Sequence, residues 1–457
     1  MLRWVAVGAA TVVAMVGWRR MQAQVARGRR DKEKIVLHVT SWEGMRVLSA
    51  SKLERWISRV KEAKSSRFAP IEMEISEETF RSLLKRRNVT IHGFGSGELG
   101  RGQFFTHVQF MITKPGLNLY DPKQFPFFAI AQSDQAIAHI SVPISKVLRV
   151  AQHLPPPSCR IVMIWSPGRC GSTLLTQLLH LHPSVVTISE PAALFNLSRL
   201  LAPSHARPDC GDYGRKDTRQ LMEAVTKLML KDFIGQQVVC IKTITTSMCL
   251  AETFRDSFPD SKAIFLYRDA KPSVASFFKT FSINNDPYVE KLKPHWRLYS
   301  LKDQLVLLWV SMRSSRDHAL WRQCWQMRWR WFALVPRRLA WLTSLGFCRT
   351  MHAPAMDVCV FWTSMMRWGL DLLHKSDGWI RSLKYDEMVA KPQAVAEALF
   401  ELCGLQVHEE MMARLQQIMS EDSQKNSKAA RELLEDVKLE FTQERLDRYE
   451  FVFKAFG

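Results

Sequence analysis

What this 457-residue sequence lacks narrows its chemistry before any motif is considered. Its nine cysteines, scattered from Cys159 to Cys403, include no C-x-x-C pair, and no His/Cys cluster has metal-ligand spacing. A structural zinc site is therefore not expected, nor any other metal. The odd count and irregular spacing give no disulfide framework and identify no redox compartment, although one or two disulfides are compatible with them. An even spread of positive charge is also missing. The net charge is +20, but residues 1–35 supply +6 of it and residues 297–350 supply +8, leaving +6 for the rest. A uniformly basic nucleic-acid surface is thus not indicated, and apart from a local patch no nucleic-acid partner is expected. With 47% hydrophobic and 24% charged residues the chain has a globular composition. Its length accommodates one α/β domain of about 250–300 residues and an accessory region.

The chain opens on an uncharged apolar run from Trp4 to Trp18, followed by Arg19, Arg20, Arg27, Arg29 and Arg30. The run reads as a single-pass membrane anchor. It is shorter than the roughly 20 residues that span a bilayer comfortably, so a signal-peptide core and an amphipathic targeting segment are the alternatives. Trp18-Arg19-Arg20 replaces the small-x-small pattern of a cleavage site. The Arg-rich flank would place the body in the cytosol by the positive-inside rule. Two tripeptides, Asn88-Val89-Thr90 and Asn196-Leu197-Ser198, would be glycosylation acceptors only in the secretory lumen.

Three regions follow: an anchor with its basic flank over residues 1–34, an accessory α+β region over 35–155, and an α/β domain over 158–457. Short β-like runs at Ile35–Val39, Ile71–Ile75 and Phe104–Ile112, with a helix over Ser51–Ala63, make up the second. Pro155-Pro156-Pro157 stiffens the boundary. Beyond it, the apolar runs Ile161–Trp165, Val238–Ile241 and Ala263–Tyr267 alternate with helical stretches. That alternation predicts a buried parallel sheet flanked by helices, with ligands beyond the carboxyl ends of its strands.

The first of these strands leads into Ser166-Pro167-Gly168-Arg169-Cys170-Gly171-Ser172-Thr173 and then a helix over Leu174–Leu181. Gly168 and Gly171 allow the backbone to turn its N–H groups inward. Ser172 and Thr173 add hydroxyl donors, Arg169 adds charge, and the helix N-terminus favours an anion. A triphosphate loop requires G-x-x-x-x-G-K-[ST]; here Ser172 follows Gly171 directly, and ATP or GTP hydrolysis is disfavoured.

This strand, loop and helix resemble the phosphosulfate-binding element of sulfotransferases. A second run, Ala263 to Ser276, is similar to that family's 3′-phosphate element, with Arg268 and Ser276 at the matching positions. The resemblance implies a P-loop-type parallel sheet and 3′-phosphoadenosine 5′-phosphosulfate as co-substrate. It implies that Gly168, Arg169, Cys170, Gly171, Ser172, Thr173, Arg268 and Ser276 bind it, with Cys170 departing from the family's usual Ser. Lys242 in Cys240-Ile-Lys-Thr-Ile follows a strand, where the family often places a Lys near the donor. Leu383-Lys-Tyr-Asp-Glu-Met resembles the family's Tyr-Glu-Asp-Leu segment more loosely. The run through His182-Pro183 to Glu190-Pro191 is similar to membrane-anchored carbohydrate sulfotransferases, which makes Glu190 the favoured base, with Arg169 and Lys242 supplying charge. His182 and His205 are the alternatives, His182 reading as a helix end before Pro183.

The expected function is therefore sulfuryl transfer to a hydroxyl acceptor, a glycan by resemblance, in the Golgi or endoplasmic reticulum. A catalytically silent nucleotide-binding scaffold and a P-loop phosphate-transfer enzyme are the rivals. One segment fits none of them: residues 296–362 carry eight of the fifteen tryptophans and dense Arg. A glycan-binding surface, a membrane-interface helix, a core helix pair and a mistranslated insertion all suit that composition.

Overall fold

The computed structural model describes residues 35–39, 71–95, 106–201, 215–233, 235, 237–282, 354–421 and 423. The Trp4–Trp18 run, the predicted helix Ser51–Ala63, His205 and residues 296–353 lie outside them. No helix among the described residues is long and apolar enough to cross a membrane.

Strands β1 (Val36–Val39), β2 (Ile71–Glu74), β3 (Val89–Gly95), β4 (His107–Thr113) and β5 (Ala136–Pro143) pair antiparallel in the order β2-β1-β5-β4-β3. Helices α1 (Glu77–Leu84), α2 (Phe128–Gln135) and α3 (Ile144–Gln152) accompany this sheet. The expected strands at Ile35 and Ile71 become β1 and β2. The run Phe104–Ile112 is displaced to β4, its first two residues being outside the described set. Local sequence explains the helices: Ser76 caps α1 by accepting the Thr79 N–H at 3.1 Å, and Ile144, Val147, Val150 and Ala151 bury one face of α3.

The second sheet is wholly parallel. It is built from β6 (Arg160–Trp165), β7 (Val185–Ser189), β8 (Val238–Lys242), β9 (Lys262–Tyr267) and β10 (Ile380–Lys384), in the order β10-β9-β6-β8-β7. Between and after these strands lie α4 (Ser172–Leu179), α5 (Ala192–Leu201), α6 (Arg215–Leu230), a 3₁₀ turn (Thr245–Leu250), α7 (Ala251–Ser257), α8 (Ala270–Ser282), α9 (Pro354–His374), α10 (Tyr385–Ala390), α11 (Pro392–Leu402) and α12 (Glu409–Ser420). The end of the Trp/Arg-rich segment, residues 354–362, forms the first turns of α9.

Because helices cover both faces, the central strands are apolar apart from Arg160, Lys242 and Lys262 at their ends. Ile161, Met163 and Trp165 of β6 enter one core, continuous with that of the antiparallel sheet. Val162 and Ile164 enter the other, among α4, α11 and α12. Arg160 ties β6 to the end of α11, donating from Nη1 to the carbonyls of Cys403 and Gly404 at 2.8 and 2.9 Å. Cys159, Cys170, Cys240, Cys249 and Cys403 are free thiols.

The two sheets meet along α5. Asn196 Oδ1 accepts the Phe94 N–H at 3.0 Å, and a Cβ at Gly93 would collide with it. Asn88 Nδ2 donates to the Thr113 carbonyl at 2.8 Å. Both sequon amides are thus committed to the fold. Strand order fixes where a ligand can sit. From β6 the chain first builds β7 and β8 to one side, then β9 and β10 to the other, so the crevice at the ends of β6 and β9 is the topological switch point.

Candidate active site

All five parallel strands end at the same edge, and each delivers a polar or aromatic side chain there. From β6 comes the loop Ser166–Thr173, in which Gly168, Arg169 and Gly171 have left-handed backbones at φ 89°, 53° and 83°. Glycine is required at two of these positions. A Cβ on Gly168 would strike the Phe277 ring and Thr245 Oγ1, and one on Gly171 would strike the Tyr385 ring. Arg169 adopts the same conformation with a side chain, at a cost of roughly 1–2 kcal/mol. Its Nε donates to Ser276 Oγ at 2.9 Å, which joins the loop to α8. Strain held at this point by a specific contact fits a functional turn.

Cys170 is fully buried and donates to the Leu266 carbonyl at 3.4 Å. Burial pushes its thiol up, so it is a packing group and not a thiolate. Thr173, the second residue of α4, has its hydroxyl turned to Lys242, while Ser172 is half-buried at the same helix N-terminus.

From β9 comes Arg268. Its guanidinium lies 4.3 Å from the centre of the Tyr385 ring, and its Nε is buried without a hydrogen-bond partner among the described residues. A buried cationic donor left unpaired is costly, and an anion in the crevice would satisfy it. Tyr385, which follows β10, stands between Gly171 and Arg268 and so helps set the separation of the two basic elements. Lys384 beside it pairs with Asp269 at 3.0 Å and Asp386 at 3.7 Å, and the Asp269 hydrogen bond pushes its pKa up.

From β7 and β8 come Glu190 and Lys242. Lys242 is 2% exposed; its Nζ lies 2.8 Å from Glu190 Oε1 and 3.1 Å from Thr173 Oγ1. Glu190 has a left-handed backbone at φ 55°, and its N–H donates to the Lys242 carbonyl at 2.7 Å, so β8 fixes the turn that carries the carboxylate. The Glu190 side chain keeps 30% exposure. Ser189 Oγ, in register with Lys242 across the strands, is buried with no partner among the described residues.

His182 is elsewhere. Its Nδ1 accepts the Ser184 N–H at 3.1 Å, and its ring lies 5.6 Å from Phe400 and 5.8 Å from His408, which is the position of a turn-closing residue. Burial lowers its pKa, with the neighbouring His408 adding to the effect.

The structure therefore gathers Arg169, Gly171, Thr173, Lys242, Glu190, Arg268 and Ser276 at one edge and leaves His182 beyond the C-terminal end of α4. Sequence reasoning assigned no site role to Tyr385, although an aromatic directly after a strand end was a usable signal. It also passed over Phe127, which precedes α2 and has its ring centre 4.9 Å from Lys242 Nζ. Nothing local in the sequence marks that residue, since the contact is made between the two sheets.

A parallel sheet with glycine-turned, basic strand ends at its switch point defines a nucleotide- or phosphate-binding α/β protein. Within that class, residues 160–449 match the family described as the sulfotransferase domain. The chain belongs to the sulfotransferase family. Matches among solved structures include a mouse sulfotransferase complexed with PAP (TM-score 0.32, 13% identity, covering 68% of this chain and 88% of that one). A sulfotransferase from Mycobacterium avium gives a TM-score of 0.34 at 13% identity over 67% of this chain and 76% of its own. A sulfotransferase domain of the curacin biosynthetic pathway gives 0.34 at 14%, covering 65% and 96%. No curated protein sequence matches the chain. Family membership rests on the domain match and not on these structures.

Proposed function

We propose that this protein transfers the sulfuryl group of 3′-phosphoadenosine 5′-phosphosulfate to a hydroxyl of a carbohydrate. The observation that carries the reading is the 2.9 Å bond from Arg169 Nε to Ser276 Oγ, because it unites the phosphate loop with the second basic element in one crevice. The residues present suit the donor: left-handed glycines clear a cradle, the N-terminus of α4 faces it, and the orphaned Arg268 Nε awaits an anion.

In this reading Gly168 to Thr173 bind the 5′ end of the donor, and Arg268 with Ser276 binds its 3′-phosphate. The donor supplies an activated sulfuryl group with a phosphate leaving group. Glu190, the exposed member of the ion pair, takes the proton of the acceptor hydroxyl as that oxygen bonds to sulfur. Arg169 and Lys242 hold the negative charge that develops on the departing oxygen. Lys242 is shared between Glu190 and Thr173; drawn towards the donor's charge, it would leave the carboxylate to the hydroxyl.

The closed Lys242–Glu190 pair favours one rival, a scaffold that binds the donor and transfers nothing. Transfer of radiolabelled sulfate from the donor to a panel of unsulfated glycans, with Arg169→Ala as control, separates the two. Donor binding without transfer to any acceptor would overturn the enzyme reading.

The proposal extends to the division of the chain at Pro155–Pro157, to an anchor at Trp4–Trp18, and to residence in the Golgi or endoplasmic reticulum. Because Asn88 and Asn196 are both engaged in the fold, missing glycans would not report orientation. Protease protection of a C-terminal tag in sealed microsomes does: digestion without detergent would overturn a lumenal body.

A further inference from the structure

We propose that Phe127, supplied by the antiparallel module, is a positioning residue of the transfer site, and that this module is a part of the catalytic unit and not an appendage. The inference rests on the donor-site reading above and adds to it a residue outside residues 160–449, the span of the family match.

Lys242 sits at the carboxyl end of β8, one strand from the open edge formed by β7. A strand-end ammonium so close to a sheet edge would normally be hydrated, yet Lys242 is 2% exposed. The parallel sheet supplies two of its neighbours, Glu190 Oε1 at 2.8 Å and Thr173 Oγ1 at 3.1 Å. A third side is closed by the face of the Phe127 ring, 4.9 Å from Nζ. An aromatic face attracts a cation while offering it no hydrogen bond. The ring thereby desolvates Lys242 without adding a third hydrogen bond, and a charge that appears on the donor side can compete for the ammonium.

The ring is held in place by its own module. Phe127 is the residue before α2, with an extended backbone at φ −132° and no side-chain capping bond. The next residue, Phe128, stacks on Tyr120 with ring centres 5.3 Å apart, and Tyr120 in turn meets Phe233 of the parallel domain edge-on at 5.1 Å. The Phe125 N–H donates to the Asp121 carbonyl at 2.8 Å. Aromatic packing across both modules thus anchors the segment, while the Phe127 ring itself stays only partly covered. A core residue would be covered fully; a wall beside a site would not.

Excluding water from Lys242 has a chemical purpose. Water admitted beside Lys242, whose Nζ lies 2.8 Å from the Glu190 carboxylate, would compete with the acceptor hydroxyl and release free sulfate from the donor. The module would therefore suppress hydrolysis as well as favour transfer.

The test uses the full-length protein with Phe127→Ala, Phe127→Leu and Phe127→Tyr. Three quantities are read: acetic anhydride labelling of Lys242 by mass spectrometry, acceptor-free release of sulfate from 3′-phosphoadenosine 5′-phosphosulfate, and PAP affinity. Phe127→Ala should speed both labelling and sulfate release by about tenfold, with PAP affinity changed by less than about twofold. Phe127→Tyr should behave as the wild type, and Phe127→Leu should fall between. Should Phe127→Ala fail to fold, the Leu and Tyr variants carry the same comparison. Wild-type labelling and sulfate release in a folded Ala or Leu variant would overturn the inference. So would equal losses of PAP affinity and thermal stability, which would mark a merely structural ring. A wild type that does not bind PAP would sink the donor reading itself, a result distinct from all of these.

Discussion

The crevice has two halves that are built differently. The donor half consists of backbone turned by Gly168 and Gly171, with Arg169, Arg268 and Ser276 around it; its parts come from two continuous stretches of chain. The transfer half consists of Glu190, Lys242, Thr173 and Phe127, taken from three separate points of the parallel domain and one of the antiparallel module. An anion can be bound by a local turn, because a strand, a loop and a helix N-terminus already form a cradle. Proton transfer demands that separate groups meet at hydrogen-bond distance, and only tertiary structure brings these together.

The halves should accordingly fail in different ways. The largest effect is expected at Glu190. Glu190→Gln removes the proton acceptor and should lower sulfuryl transfer by about 10²–10⁴-fold, with PAP affinity nearly unchanged. Isothermal titration with PAP beside a radiolabel transfer assay reads both quantities. Loss of PAP binding in this variant would erase the distinction between the halves.

The reverse pattern is expected at Arg268. Arg268→Ala removes a charge-assisted donor whose Nε has no partner among the described residues, so the empty fold loses the contact with the Tyr385 ring but no Nε hydrogen bond. PAP affinity should fall by about 10–100-fold, as for one lost charged hydrogen bond of about 1.5–3 kcal/mol. If transfer fell at saturating donor while PAP affinity held, Arg268 would belong to the other half.

This difference also governs what the sequence could disclose. Three strands of the parallel sheet, β6, β8 and β9, were legible because they are buried on both faces and read as apolar runs, as in Ile161 to Trp165. The phosphate loop was legible because glycines, a basic residue and a helix start lie within eight positions. Strands β3, β5, β7 and β10 were not foreseen. All four hold polar residues among their apolar ones, His92, His139, Thr187 and Arg381 for example, and their pairing is fixed by partners outside the strand itself. Glu190 and Lys242 could be named singly, but not as a pair: 52 residues of sequence separate them, while adjacent strand ends set them 2.8 Å apart. Phe127 could not be named at all, because an aromatic before a helix is more often core than wall.

A smaller effect is expected inside the donor half, where backbone conformation and not charge is at stake. Gly171→Ala places a methyl group against Tyr385 and forces alanine to φ 83°. The left-handed backbone alone costs roughly 1–2 kcal/mol, and displacing Tyr385 adds to that. Thermal unfolding should shift down, and PAP should restore less stability than it gives the wild type. An unchanged melting temperature would mean that Tyr385 moves freely and does not set the separation of the loop from Arg268.

The smallest effect is expected at His182, which belongs to neither half. Its buried ring titrates below the ordinary 6.5, lowered first by desolvation and then by the neighbouring His408. Between those two values the unfolded chain binds more protons than the folded one, so stability present above pH 6.5 is lost as the pH falls. The local reason is specific. Nδ1 accepts the Ser184 N–H at 3.1 Å, and a protonated ring would set a donor against a donor. His182→Asn keeps a side-chain acceptor but does not titrate; it should flatten the loss of stability on acidification and cost about 1 kcal/mol or less at neutral pH. Denaturant unfolding between pH 5 and 8 at unchanged PAP affinity measures this. If His182→Asn abolished transfer while leaving that stability profile as in the wild type, the base would have to be sought at the C-terminal end of α4, and Glu190 would lose its assigned role.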